Sequence, residues 1–154
     1  MDDEYFIKKA IEEAEKSVKA GGLPLGALVV RNDSIIASGT SHVGDLDPTA
    51  HFESDAIRQA CQKLHTLDLS ECTLYTTLEP CSMCLACASW CGVKRVVFGA
   101  YKENIPKNPY EISNYHAEEH GKRMTSDMEV RGGICKDACA KLMEHMVNWT
   151  IQNE

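Results

Sequence analysis

The sequence predicts a single α/β domain in which helices are layered over a mixed sheet. Three observations carry this prediction: two β-branched runs joined by Asn32-Asp33, a strand–helix–strand unit across residues 73–99, and amphipathic helical spacing near both ends of the chain. No internal repeat, low-complexity tract or linker interrupts the 154 residues. That length fits one domain, which can bury a core without disulfides.

The elements follow in order. Residues Asp2–Ala20 carry Ile7, Ala10, Ile11, Ala14 and Val18 at helical spacing behind an acidic first turn, with Gly21-Gly22 as the stop. Ala27–Arg31 and Ser34–Ser38 form a hairpin around Asn32-Asp33. Pro48 or Thr49 opens a second helix that ends near His65. Thr73–Leu78 is a strand, Ser82–Cys91 a helix and Arg95–Gly99 a buried strand. A polar, Pro-punctuated stretch over 101–121 includes a short helix near Ile112–His120, and a weak strand follows at Met128–Arg131. A last helix, Lys136–Ile151, aligns Cys139, Leu142, Met146 and Trp149 on one stripe.

Composition narrows the function. Sixteen basic against 23 acidic residues give a formal charge of −7. Nucleic-acid affinity comes largely from Lys and Arg neutralising phosphates, so the balance favours a small or neutral partner over nucleic acid. The N-terminus MDDEYFIKK is acidic where a signal peptide would be basic, and the longest uncharged stretch, Pro80–Val93, is shorter than a membrane span. A cytoplasmic protein with no membrane partner is expected. In that reducing compartment the eight cysteines are metal ligands or small core residues rather than disulfides. Cys61, Cys72, Cys135 and Cys139 are read as packing residues.

Two short segments stand apart from the scaffold: Thr49-Ala50-His51-Phe52-Glu53 and Glu79-Pro80-Cys81-Ser82-Met83-Cys84. The second sets two thiols three residues apart in a first helical turn, close enough to share one cation. Helix N-termini also favour the thiolate. His51 supplies a third ligand, and three protein ligands with an open fourth position suit catalytic rather than structural zinc. Glu53 shares the inward stripe of its helix with Ile57, Ala60, Cys61 and Leu64. A carboxylate aimed inward there fits a proton acceptor beside the metal. A rival pattern overlaps this one: Cys81, Cys84, Cys87 and Cys91 have the C-x2-C-x2-C-x3-C spacing of an iron–sulfur electron carrier. The run ends in Cys91-Gly92 rather than Cys-Pro and leaves His51 and Glu53 unexplained.

With H-x-E and P-C-x-x-C each opening a helix about thirty residues apart, and with GGLPLGALVV, DPTAHFE, TLYTTLEPCSMC and RVVFGA in order, the chain resembles the cytidine deaminase superfamily, in the branch holding guanine deaminase, cytosine deaminase and tRNA adenosine deaminase. The resemblance implies a three-layer α/β/α fold with a five-stranded mixed sheet, zinc held by His51, Cys81 and Cys84, Glu53 as proton shuttle, and a homodimer. The implied reaction is hydrolytic: the amino group of a free nucleobase or similar heterocycle becomes a carbonyl, with release of ammonia. tRNA adenosine deamination is the alternative. For substrate contacts, Ser41 of Gly39-Thr40-Ser41 stands where relatives carry a base-contacting Asn, in a loop about one residue shorter. Trp90 matches a pocket-lining Trp of guanine deaminase, and Glu111 roughly matches its base-orienting acid. Phe52, at a position usually Ala, fills the pocket floor or packs in the core.

Overall fold

The computed structural model describes residues 1–40, 45–104, 112, 114–124 and 127–145. Five strands form one sheet in the order β2-β1-β3-β4-β5, with β1 at Ala27–Arg31, β2 at Ser34–Ser38, β3 at Thr73–Leu78, β4 at Arg95–Ala100 and β5 at Glu129–Arg131. β1 runs antiparallel to both β2 and β3, whereas β3, β4 and β5 are mutually parallel neighbours. This is the mixed five-stranded sheet that the resemblance implies.

Turn chemistry makes the hairpin. Asn32 and Asp33 both adopt positive φ, 49° and 59°, the backbone of a type I′ turn whose twist matches that of the flanking strands. β3 and β4 are buried along nearly their whole length, because strands in the parallel part of the sheet are covered on both faces. Helix α1 (Asp3–Lys19) and helix α5 (Lys136–Leu142) cover one face, with Phe6, Ile7, Ala10, Cys139 and Leu142 packed on Leu28, Tyr75 and Val97. Helices α2 (Phe52–Leu64) and α3 (Ser82–Trp90), with the short α4 (Ala117–Gly121), cover the other, over Ala27, Val29, Leu74, Val96 and Phe98. The three layers are therefore helix, sheet and helix.

Three boundaries differ from expectation. α2 starts at Phe52 rather than Pro48 or Thr49, because the Ser54 hydroxyl accepts from His51 N at 2.9 Å and donates to Thr49 O at 2.5 Å, which makes His51 the N-cap. α4 occupies Ala117–Gly121, the C-terminal part of the expected 112–120 helix. The described part of the last helix runs Lys136–Leu142 with Met143 as its C-cap; Met146 and Trp149 lie outside the described residues. Among those residues, no helix is long and apolar enough to cross a membrane.

Candidate active site

The site forms where the N-terminal ends of α2 and α3 meet above the sheet. As N-cap of α2, His51 has extended backbone, φ −76° and ψ 171°, and so is released from the helical wheel that would point it away from Glu53. Cys81 is the N-cap of α3 and Cys84 lies in its first turn. His51 Nδ1 is 3.6 Å from Cys81 Sγ and 3.6 Å from Cys84 Sγ. All three donor atoms fall within 4.8 Å of one another, and among the described residues they are the one group of three or more His, Cys, Asp or Glu donors so arranged.

This group fits zinc by size and by chemistry. A tetrahedral ion with Zn–S about 2.3 Å and Zn–N about 2.05 Å has an S···N edge of about 3.5 Å, which the two observed separations match. Two thiols and an imidazole are also a zinc-type donor set, with room in the coordination number for a fourth ligand.

The electrostatics agree. Hydrogen bonding from Cys84 and then from His51 pulls the Cys81 thiol down to about 4, so Cys81 carries the first negative charge of the pair. Its bond to Cys81, together with burial, pushes the Cys84 thiol upward. The same Cys81 thiolate raises His51 above its ordinary value. A bound dication would hold both thiols as thiolates.

Glu53 lies in the first turn of α2 and is 8% exposed. Its Oε1 accepts from Thr76 Oγ1 of β3 at 3.4 Å, and its Oε2 accepts from Cys84 Sγ at 3.5 Å. Burial, followed by the neighbouring Cys81 thiolate, raises its pKa, the direction that brings a carboxylate towards useful proton affinity at neutral pH.

The cysteine run does not act as a unit. Cys81 and Cys84 turn to His51, whereas Cys91, the C-cap of α3, lies 3.9 Å from Cys61 of α2. Cys81 and Cys91 cap opposite ends of α3, about 15 Å apart along the helix axis, which is too far for one iron–sulfur cluster to bridge. All eight cysteines are free; Cys72 and Cys139 are buried, and Cys61, Cys87, Cys91 and Cys135 are half-buried.

The expected substrate contacts are placed less uniformly. Phe52 is 3% exposed and packs with Ala27, Ala56 and Leu85, so its ring belongs to the core. Trp90 ends α3, at the opposite end from Cys81 and Cys84, and is 90% exposed. Within a single chain its ring lines no buried site. Ser41 and Glu111 lie outside the described residues.

Three residues that the spacing patterns did not single out also shape the site. Asp55, buried in the first turn of α2, accepts from Thr40 N at 2.9 Å and from Gln59 Nε2 at 2.7 Å, and so ties the segment after β2 to the helix. Gly39 permits that approach, since a Cβ there would overlap the Phe52 carbonyl. Glu79, also buried, accepts from Lys102 N at 3.1 Å and Ala117 N at 2.9 Å, anchoring both flanks of the segment after β4 beside the cysteine turn. Its place directly before Pro80-Cys81 is the signal that could have found it.

Comparisons with known proteins agree with this geometry. The cytidine and deoxycytidylate deaminase zinc-binding region matches residues 1–100. A guanine deaminase of Bacillus subtilis is 45% identical over 120 residues, covering 77% of each chain. A tRNA-specific adenosine deaminase of Aquifex aeolicus is 43% identical over 101 residues, covering 65% of this chain and 67% of its own. The solved guanine deaminase of Nitrosomonas europaea superposes with a TM-score of 0.80 at 28% identity, over 92% of this chain and 82% of the other. Since residues 1–100 include every converging donor and Glu53, the chain belongs to the cytidine and deoxycytidylate deaminase family and is a zinc-dependent hydrolytic deaminase.

Proposed function

We propose that the chain is one deaminase domain acting on a free nucleobase or similarly small amino-heterocycle of guanine or cytosine type, with His51, Cys81 and Cys84 as zinc ligands and Glu53 as the catalytic acid–base. The observation that carries the reading is the buried Glu53 carboxyl beside three converging metal donors. Zinc bound there supplies Lewis-acid activation of water near neutral pH. Glu53 takes one proton from the attacking water at a carboxylate oxygen and passes it to the ring nitrogen beside the reacting carbon, then takes the second from the new hydroxyl and passes it to the departing amine. The N–C=N unit thereby gains the oxygen of water and loses ammonia. Thr76 orients the carboxyl through Oε1.

Several features support a small substrate. The −7 charge disfavours a phosphate backbone, and the Bacillus guanine deaminase is among the relatives matched over most of their length. The identity to the Aquifex enzyme supports tRNA adenosine as the second reading. A homodimer is proposed through α3, whose nine residues carry no charge and whose outer side exposes Met83 and Trp90. A helix apolar on all sides is normally buried, and such pairing would give Trp90 a route to a partner's substrate. A cytoplasmic location fits eight unpaired thiols.

The test is ammonia release by the zinc-loaded protein from guanine, cytosine, isocytosine, adenine, pterins and their nucleosides, run beside inosine formation in tRNA. Turnover of at least one free heterocycle is expected. Adenosine-to-inosine conversion in tRNA, with no turnover of any base, would replace this reading with the second.

A further inference from the structure

Tyr115 carries, among the described residues, the one buried side-chain nitrogen or oxygen without a hydrogen-bond partner. A hydroxyl withdrawn from water and left unpaired costs free energy, and native proteins retain few such groups. The residue is otherwise well held. Its ring packs against the core cluster that contains Phe52 and lies on His120 with centroids 4.5 Å apart and planes at 46°. Two residues on, Ala117 N is anchored by Glu79, which itself stands two residues before Cys81. The ring is thus packed, and its oxygen is left unsatisfied.

The residue borders the site: α4, which begins two residues on, packs on α3, and its first amide is held by Glu79 beside the cysteine turn. Burial, followed by the neighbouring acidic groups, raises its pKa. A phenol in such surroundings stays protonated and neutral, and a neutral phenol can donate.

We propose that Tyr115 is a substrate-contact residue whose hydroxyl, unpaired in the free protein, donates a hydrogen bond to a lone-pair acceptor of the bound heterocycle, a ring nitrogen or carbonyl oxygen. The inference rests on the reading of the site as one for small amino-heterocycles. Satisfaction of this donor is deferred from folding to binding. A ligand that presents an acceptor recovers the cost of burial, whereas one that presents C–H or N–H at that point leaves the hydroxyl orphaned and is rejected.

Tyr115→Phe removes one oxygen and keeps the ring, its packing and its contact with His120. Because the oxygen has no partner in the free protein, the melting temperature should stay level or rise, and zinc content by elemental analysis should stay the same. For the best base, kcat/KM should fall about tenfold or more, with KM rising more than kcat falls. Calorimetric affinity for the deaminated product should fall in parallel, a readout that needs no turnover. A folded, zinc-loaded variant with unchanged kcat/KM and unchanged product affinity would overturn the proposal. So would a melting temperature several degrees lower, since the hydroxyl would then serve the fold. Ammonia release by the wild type from no base at all would sink the functional reading and this contact with it; an active wild type beside an equally active variant would sink the contact alone.

Discussion

Glu53 and Phe52 are adjacent in the first turn of α2, yet one carboxyl meets Cys84 and Thr76 while the neighbouring ring packs in the core. About 100° of helical rotation separates them, enough to divide chemistry from packing. Replacing Glu53 by Gln keeps size and hydrogen-bonding capacity but removes the proton acceptor. The variant should fold and hold zinc while ammonia release falls about 10²–10⁴-fold, the usual range for a general acid–base group. Loss of metal in Glu53→Gln would show that the carboxyl is a ligand. Cys81→Ser should behave in the opposite way. It removes the thiol that His51 and Cys84 hold down at about 4, and elemental analysis should find the purified protein depleted of zinc.

At the scale of elements, the site depends on short bridges between segments that share no ladder. Glu79, directly after β3, satisfies one N–H on each side of the segment that follows β4. Glu79→Ala would leave the Lys102 and Ala117 amides without their acceptor, at about 1–3 kcal/mol each. Urea denaturation should therefore show a loss of about 2–6 kcal/mol, and Glu79→Gln, which keeps one acceptor oxygen, should lose less. Equal stability of Glu79→Ala and the wild type would mean that water replaces the carboxylate at no cost. Asp55 plays the corresponding part for the segment after β2, through Thr40 N.

Across the whole molecule, one ion cluster joins the first helix to the far strands. Arg95 of β4 donates to both carboxylate oxygens of Asp3 at 2.6 Å, Tyr75 of β3 donates to Asp3 at 2.9 Å, and Arg131 of β5 reaches it at 3.3 Å. The Arg95 bond, opposed in part by desolvation, holds Asp3 below the ordinary carboxyl value of 3.8. Burial and the Asp3 bond push Tyr75 up to about 12. A folded pKa below the unfolded one contributes stability that is complete well above pH 3.8 and is lost as pH falls through the folded value. The cluster is partly exposed, so Asp3→Asn should cost only about 1–2 kcal/mol at neutral pH. In urea titrations the gap between wild type and variant should narrow below about pH 4. A gap independent of pH would assign the loss to packing rather than to charge.

The sequence by itself determined the hairpin, β3, α3, β4 and the chemistry of the donor set, because each is written in short-range terms: two turn residues able to adopt positive φ, period-2 or continuous apolar runs, and thiols one helical turn apart. The start of α2 was less legible, since Pro48 and Thr49 both resemble openers and the choice rests on one Ser54 hydroxyl. Only the tertiary structure decided which cysteines act together. Cys81, Cys84, Cys87 and Cys91 form an unbroken pattern along the chain, but the packing of α2 on α3 brings His51 to the first two and Cys61 to the last. It also decided that Phe52 is core, that Trp90 faces outward, and that Tyr115 carries a buried, unpaired hydroxyl. Spacing along a chain specifies which face of its own element a side chain occupies. Which other element meets that face depends on long-range burial, and one-dimensional spacing does not encode it.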